Sequence, residues 1–169
     1  MDSKDRSKPV TILFLEDRSE NIEQMRSHRD DLCDNLIIVS STAQALSLTR
    51  LVPISVIISA VHLENESVFD FLRAVKSDTR LGEVPFIFLC LQPSRFTKSI
   101  NDSLEVSARA LGADSYVLME SWEPGILQGH IDSAFDKQAK VNQPPHGSRR
   151  PENFPTSSIV PFPKSASQA

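Results

Sequence analysis

Two adjacent carboxylates, Glu16 and Asp17, are the first residues in the chain whose type and placement could carry chemistry. They follow an apolar run at residues 10–15, at the point where such a run would end as a strand. The alternative is structural, because acidic side chains are favourable where a strand passes into the start of a helix. The sequence leaves open whether the two carboxylates have a chemical role or a structural one.

The remaining reactive side chains do not form a catalytic or metal-binding set. Cys33 and Cys90 lack metal-ligand spacing, and we expect free thiols rather than a disulfide in a cytosolic chain. We expect Cys90 to be buried and inert rather than redox-sensitive. His62 has no second ligand spaced near it, so it does not indicate a metal site. A Gly-rich phosphate loop, a catalytic triad and an HExxH pattern are all missing, so we do not expect an enzyme.

Five short apolar runs predict the strands that would position these residues. They lie at residues 10–15, 36–39, 56–60, 86–91 and 116–118. Uninterrupted runs of this length are typical of strands buried on both faces of a parallel sheet. Amphipathic stretches alternate with them, so the predicted fold class is α/β, a single domain with a five-stranded parallel sheet doubly wound by five helices.

Several residues mark where the predicted helices begin and end. Asp17 or Ser19 is expected to cap the first helix, and residues 40–42 the second. Gly112 is placed to stop the fourth helix, and the last helix follows Pro124. In the third helix four apolar residues are expected to share one face: Val68, Phe69, Leu72 and Val75.

A doubly wound sheet gathers functional groups at the carboxyl ends of its strands, beside the switch in strand order. The positions to inspect therefore come directly after Leu15, Ser59, Leu89 and Leu118.

Those positions carry a resemblance to the receiver domains of response regulators in two-component signalling, over roughly residues 9–136. ILFLEDRSEN resembles the opening strand of the family, which ends in an acidic pair. SVIISAVHLENESVFDFLRAVK resembles the strand with the phosphoacceptor aspartate, its loop and the next helix. VPFIFLC resembles the fourth strand, and ALGADSYVL resembles the Gly-Ala-Asp stretch before the conserved lysine. The resemblance implies the flavodoxin-like receiver fold.

The resemblance also implies a phosphorylation site, from which this chain departs. In the family, carboxylates hold a divalent ion and one of them is phosphorylated. A hydroxyl and a lysine contact the phosphoryl group, which carries about two negative charges. Here the phosphoacceptor position falls on Ala60, with Phe69 anchoring the register. The hydroxyl position falls on Cys90 and the lysine position on Met119, and Glu120 replaces the usual proline. The resemblance therefore indicates a degenerate pseudo-receiver.

Glu16 and Asp17 match the acidic metal-binding pair of the family. Because the other groups are altered, we expect no required cofactor and, at most, weak binding of Mg²⁺ at a vestigial site. A one-residue slip would place Ser59 at the acceptor position, but it would misplace Phe69 and the helix behind it.

The segment between Cys90 and Gly112 is several residues longer than is usual in the family. The family meets its partners on this side, and Arg95, Phe96 and Lys98 are candidates for a partner surface. An accommodating insertion is the alternative, because loops absorb extra length at small cost. Tyr116 matches an aromatic position that switches in the family. In the family the switch is triggered when the hydroxyl residue is drawn to the phosphate. That trigger is missing here, so we expect Tyr116 to pack in the core or to lie on the contact surface.

The 169 residues divide into three predicted parts: residues 1–8 disordered, residues 9–139 a receiver-like domain, and residues 140–169 a disordered tail with six of the eleven prolines. The net charge of −4 gives no reason to expect nucleic-acid binding. The chain lacks an apolar run long enough to span a membrane and a secretory signal, so we expect a cytoplasmic protein.

Two functions stay open at this point. The first is a stand-alone receiver-like protein that acts by phosphorylation-independent contacts with a histidine kinase, another regulator or an output protein, with a homodimer as a further possibility. The second is a working phosphorelay receiver with atypical chemistry, for which the sequence offers no good acceptor.

Overall fold

Five parallel strands form one sheet in the computed structural model, which describes residues 8–142. The strands are β1 (Thr11–Leu15), β2 (Asn35–Val39), β3 (Val56–Ala60), β4 (Phe86–Leu91) and β5 (Ser115–Met119). Their order across the sheet is β2-β1-β3-β4-β5, and each neighbouring pair is parallel. The five-stranded, doubly wound α/β fold predicted from the sequence is confirmed.

Seven helices, rather than the expected five, flank the sheet within residues 8–142. They are α1 (Ser19–Ser27), α2 (Arg29–Leu32), α3 (Thr42–Leu51), α4 (Val68–Ser77), α5 (Arg95–Ser99), α6 (Asn101–Ala110) and α7 (Pro124–Val141). The number rises because the first predicted helix breaks in two, and because the segment expected to be a loop ahead of the fourth helix forms a helix of its own, α5. His28 (φ −114°, ψ 13°) separates α1 from α2, and Ile100 (φ −109°, ψ 6°) separates α5 from α6. Neither residue is a Gly or Pro, so the sequence does not mark either break.

The strands send alternate side chains into two apolar layers. From β1, Leu13 and Leu15 enter one layer, while Ile12 and Phe14 enter the other. The first layer packs under α3, α4 and α6, and the second under α1, α2 and α7. Strands β1, β3 and β4 are buried at every residue, as continuous apolar runs in a parallel sheet predict.

Helix α4 faces the first layer with two aromatic rings instead of the one expected. Val68, Leu72 and Val75 are buried as predicted, but Phe71 is buried and Phe69 is half-buried. Their ring centroids lie 5.2 Å from Phe88 for Phe69 and 5.7 Å from Phe86 for Phe71. The apolar stripe is therefore wider than the four-residue face, because the helix lies against two phenylalanines of β4.

The helix ends follow their marked residues in most cases. Ser41 caps α3, where its hydroxyl accepts a hydrogen bond from the Gln44 N–H, and Pro124 begins α7. Gly112, at φ 98°, ends α6: its N–H donates to the Arg109 carbonyl and the N–H of the next residue to the Ala108 carbonyl. This pair of bonds is the Schellman motif that a glycine at this position favours.

Asp114 and Lys76 join α4 to the beginnings of β4 and β5. The Asp114 carboxylate accepts hydrogen bonds from the Phe86 N–H (2.8 Å) and from Lys76 Nζ (3.4 Å). Lys76 Nζ also donates to the carbonyls of Gly82 (3.1 Å) and Val84 (3.0 Å). The Gly-Ala-Asp stretch therefore has a structural role, which is to fix the edge of the sheet opposite the strand carboxyl ends.

The expected outer parts of the chain lie largely beyond the described residues. Helix α7 ends at Val141, two residues past the boundary expected at residue 139. The predicted disordered N-terminus, except for residue 8, and residues 143–169 of the predicted tail are outside residues 8–142. None of the helices within the described range combines the length and apolar character needed to cross a membrane.

The two glycines Gly112 and Gly129 make a matched test of this packing. Gly112→Ala should lower the free energy of unfolding by about 1–2 kcal/mol, because an L-residue resists positive φ and the new Cβ would lie 3.3 Å from Lys76 Cγ. Gly129→Ala, inside α7 with open space at its Cβ, should raise it by about 0.5–1 kcal/mol. Urea unfolding followed by circular dichroism measures both, and equal effects of the two changes would contradict the assignment of Gly112 to the left-handed cap.

Candidate functional site

A cavity of about 400 Å³ opens at the carboxyl ends of the strands. The ends of β3 and β4 contribute Ala60, Leu89, Cys90 and Leu91 to its lining, and α5 and α6 contribute Phe96, Thr97, Ile100 and Leu104. Glu16, Arg18 and Asn21 close it from the side of β1 and α1, and His62 from the loop after β3. The rule that places functional groups at this edge thus identifies the cavity, and the ends of β3 and β4 meet there as expected.

Glu16 is buried at the end of β1, and both of its carboxylate oxygens are occupied. Oε1 accepts hydrogen bonds from the N–H groups of Asp17 and Arg18, each at 3.0 Å, and Oε2 accepts one from Asn21 Nδ2 at 2.7 Å. The side chain therefore stabilises the start of α1. The expectation that Asp17 or Ser19 caps this helix is wrong: Arg18 is the N-cap residue, and its side chain makes no capping bond.

Burial is the main influence on the ionisation of Glu16. It raises the pKa of the carboxyl group above its ordinary value of 4.5, and the hydrogen bonds from Arg18, Asn21 and Asp17 offset part of that rise. The group is thus held in place by hydrogen bonds in a site where its charge is poorly solvated.

The Asp17 carboxylate bonds a different part of the chain from the Glu16 carboxylate. It is exposed, and its Oδ2 accepts a hydrogen bond at 2.7 Å from the N–H of Glu64 in the loop between β3 and α4. The acidic pair is therefore divided between the start of α1 and this loop. Throughout residues 8–142, His, Cys, Asp and Glu side chains form no group of three or more that could hold a metal ion. Because Glu16 and Asp17 are each bonded to backbone N–H groups of the chain, the donor set does not fit the divalent ion that the family resemblance implies.

Ala60 ends β3 in the cavity wall with 4% of its surface exposed, and its methyl group supplies neither a nucleophile nor a ligand. Its neighbour Ser59 is fully buried, and its hydroxyl donates to the Ala60 carbonyl at 2.9 Å. Ser59 does not line the cavity. A register slip that placed Ser59 at the acceptor position would thus present a hydroxyl that is already bonded inside the sheet.

Cys90 and Cys33 are both free, as expected, and both are buried, which was expected of Cys90 alone; they lie in different places. Cys90 lines the cavity, where burial raises the pKa of its thiol and the nearby positive charge of Arg18 opposes the rise. Cys33 lies in the second apolar layer, where burial raises its pKa to about 11.

Met119 and Glu120, which the sequence resemblance places at the lysine and proline positions of the family, are both outside the cavity lining. Met119 packs in the second apolar layer with Leu127 and Ile131 of α7. Glu120 is exposed and accepts a hydrogen bond from Lys98 Nζ at 2.5 Å, and this ion pair lowers the pKa of Glu120. One predicted partner-surface residue and one predicted site residue are therefore bonded to each other.

Tyr116 is buried, with 6% of its surface exposed, and packs in the first apolar layer beside Phe88, with ring centroids 6.4 Å apart. Its hydroxyl has no hydrogen-bond partner among the described residues, and burial raises its pKa to about 12. Of the two roles expected for Tyr116, the structure supports packing in the core. It does not join Arg95, Phe96 and Lys98, which lie exposed on α5.

The sequence did not single out five polar residues that line the cavity: Arg18, Asn21, Gln92, Ser94 and Thr97. Asn21 had a detectable signal, since it lies in the first turns of the helix that follows Glu16 and can reach back to it. Arg18 and Gln92 had none, because their places depend on how the loops after β1 and β4 turn. Gln92 takes a positive φ of 49° after β4.

Glu16→Gln tests the buried carboxylate, because the change keeps the shape of the side chain and removes its titration. The folded chain holds the Glu16 proton more tightly than the unfolded chain, since the pKa is raised on folding. The unfolding free energy of the wild type minus that of the variant should therefore fall as pH rises from below 4.5 through the folded-state pKa, and then level off. Urea unfolding across this pH range measures it.

The matched control is Glu20→Gln, which removes an exposed carboxylate from the first turn of α1 and leaves the buried hydrogen bonds of Glu16 intact. A wild-type advantage that grew with rising pH for Glu16→Gln would contradict the burial argument.

Comparison with known proteins finds similarity in structure. No protein-family model matches the sequence, and no curated protein matches it significantly. A signal receiver domain of an HD domain-containing protein from Pseudomonas fluorescens superposes with a TM-score of 0.65 at 17% identity, covering 83% of this chain and 97% of that chain. The receiver domain of a signal transduction histidine kinase from Syntrophus aciditrophicus gives 0.62 at 18%, covering 82% and 97%.

A chemotaxis response regulator of Vibrio cholerae gives a TM-score of 0.58 at 16% identity, covering 78% of this chain and 99% of that chain. The match thus extends over nearly the whole of each neighbour, at identities that establish the fold. This chain has the fold of the receiver domains of response regulators and sensor kinases.

Proposed function

We propose that this chain is a stand-alone receiver-like protein of a two-component or phosphorelay pathway, and that it acts through protein–protein contacts without being phosphorylated. The observation that carries the proposal is Ala60, whose methyl group lies in the cavity wall at the end of β3. That is the position of the phosphoacceptor carboxylate in the family that the sequence resembles. Alanine cannot attack phosphorus.

The surroundings of Ala60 support the same conclusion by their charge. A phosphoryl group would bring about two negative charges close to the buried Glu16, and the lysine that pairs with it in the family is replaced by Met119, which packs in the second apolar layer. Cys90 supplies a weaker donor than a hydroxyl. We therefore propose that the function requires no cofactor, with Mg²⁺ binding at Glu16 and Asp17 weak at most.

The alternative function is a phosphorelay receiver with atypical chemistry. It requires another acceptor, and the nearest hydroxyl in β3, on Ser59, is fully buried and donates its hydrogen bond to the Ala60 carbonyl. Because that serine is outside the cavity lining, the interaction function is better supported.

Treatment with acetyl phosphate and Mg²⁺ tests this directly. Intact mass spectrometry should show no phosphoryl adduct, and addition of beryllofluoride should leave the NMR signals of Ala60, Cys90 and Met119 unchanged, since the nucleophile and the cation are both missing. A receiver domain with an intact site, treated in parallel, is the positive control. An adduct on this chain would overturn the proposal, and its loss in Ser59→Ala would establish the alternative.

A surface on α5 and α6 is the proposed contact site, which we name the α5–α6 face: Arg95, Phe96, Lys98 and Val106. Phe96 is 71% exposed and Val106 68% exposed, so two large apolar side chains stand in solvent on adjacent helices. Exposed apolar side chains close to charged ones are typical of protein contact surfaces. The partner would be a histidine kinase, another regulator or an output protein, or a second copy of this chain.

The proposal also includes what the protein does not do. We propose that it is not an enzyme, that it binds neither nucleic acid nor membrane directly, and that it works in the cytoplasm. The acidic net charge of −4 supports the absence of nucleic-acid binding, since phosphate backbones attract basic surfaces.

Phe96→Ser and Leu51→Ser form a matched pair for testing the α5–α6 face. Both replace an exposed large apolar side chain, 71% and 77% exposed, on different helices. Phe96→Ser should weaken binding to the transmitter region of a cognate histidine kinase by roughly tenfold or more, as loss of an aromatic anchor does, while Leu51→Ser should leave it unchanged. Biolayer interferometry measures the binding, and sedimentation velocity measures the self-association of the same variants. Equal effects of the two changes would rule out this face.

A further inference from the structure

The cavity is large enough for a small organic molecule, and many of the side chains that line it are apolar. Its volume of about 400 Å³ lies in the range of sites that take small organic molecules, roughly 300–1,000 Å³. Three apolar residues at the ends of β3 and β4 form its floor: Ala60, Leu89 and Leu91. Three more from α5 and α6 form a wall: Phe96, Ile100 and Leu104. Such a lining favours a ligand with an apolar body.

The polar groups of the cavity divide into those already bonded and those that are free. Glu16 and Asn21 are bonded to each other, and the hydroxyls of Ser94 and Thr97 lie 2.9 Å apart in a hydrogen bond. Within residues 8–142, the side chains of Arg18, His62 and Gln92 have no hydrogen-bond or ion-pair partner, and all three line the cavity. The free groups are thus a guanidinium, an imidazole and an amide.

This division determines which charge a ligand should carry. The carboxylate of Glu16 accepts three hydrogen bonds from the chain itself, which leaves little of its accepting capacity for a cation. Arg18 offers several donors and a permanent positive charge at the same opening. We propose that the cavity is a binding site for a small amphipathic anion, with its apolar body on the Ala60–Leu104 side and its carboxylate, sulfonate or phosphate ester group at Arg18.

Two fluorescent probes of the same shape test the site on the full chain. 8-Anilino-1-naphthalenesulfonate carries an aromatic body and one negative charge, and N-phenyl-1-naphthylamine has the same body without the charge. The sulfonate should bind saturably with one molecule per chain and more tightly than its neutral analogue. Its NMR shifts should centre on Ala60, Cys90 and Ile100 rather than on the distant exposed Leu51.

Two substitutions separate the charge from the apolar body. Arg18→Gln should weaken binding of the sulfonate about three- to fivefold, as loss of one exposed ion pair does, and should leave the neutral probe unaffected. The matched control is Arg26→Gln, an exposed arginine of α1 outside the cavity, which should change neither. Ala60→Leu should weaken both probes, because its added carbons occupy the cavity.

Cys90 gives a measurement that needs no variant. It lines the cavity, whereas Cys33 lies in the second apolar layer, so the two thiols can be compared within one chain. Saturating sulfonate should slow the alkylation of Cys90 by N-ethylmaleimide and leave Cys33 unchanged, as peptide mass mapping would show.

Three outcomes would overturn the inference: binding that does not saturate at one molecule per chain, equal effects of Arg18→Gln and Arg26→Gln, or NMR shifts centred on Phe96 and Val106 without protection of Cys90. The test is independent of the proposed function, because an acetyl phosphate adduct would refute the pseudo-receiver and leave the probe result standing.

Discussion

The structure depends on one constraint, which is that a parallel sheet must be covered on both faces. Strands β1, β3 and β4 are buried at every residue, so their backbone N–H and C=O groups can form hydrogen bonds only with neighbouring strands. Their side chains are removed from water only because a layer of helices covers each face. Each strand must then return to the same edge of the sheet through a crossover. The carboxyl ends of the strands therefore meet at one edge, and the loops between strands and helices supply the rest of the cavity there.

Carboxylates hold the backbone at both edges of the sheet. At the opposite edge, Asp114 and Lys76 satisfy the N–H of Phe86 and two loop carbonyls, so that the starts of β4 and β5 are tied to α4. At the carboxyl edge, Glu16 accepts hydrogen bonds from backbone N–H groups at the start of α1, and Asp17 accepts one from the loop after β3. The two carboxylates that the family resemblance implies as metal ligands thus hold the backbone in this chain.

The cavity and the α5–α6 face share one side chain. Phe96 lines the cavity and is also 71% exposed, because α5 is a short helix lying over the end of β4. The Lys98–Glu120 ion pair joins the same helix to the end of β5. A ligand in the cavity and a protein on the α5–α6 face would therefore contact the same short helix from its two sides.

The amino-acid sequence was enough to predict the sheet and the chemical character of single residues at its carboxyl edge. Continuous apolar runs identified all five strands, and the identity of Ala60 was enough to exclude a nucleophile, because these properties belong to single residues or short windows. Tertiary structure decided the rest. The inward packing of Met119 and Tyr116 and the pairing of Lys98 with Glu120 depend on contacts between elements distant in sequence. No residue type marks the breaks at His28 and Ile100. The cavity exists only where several loops meet, and no local pattern records that meeting.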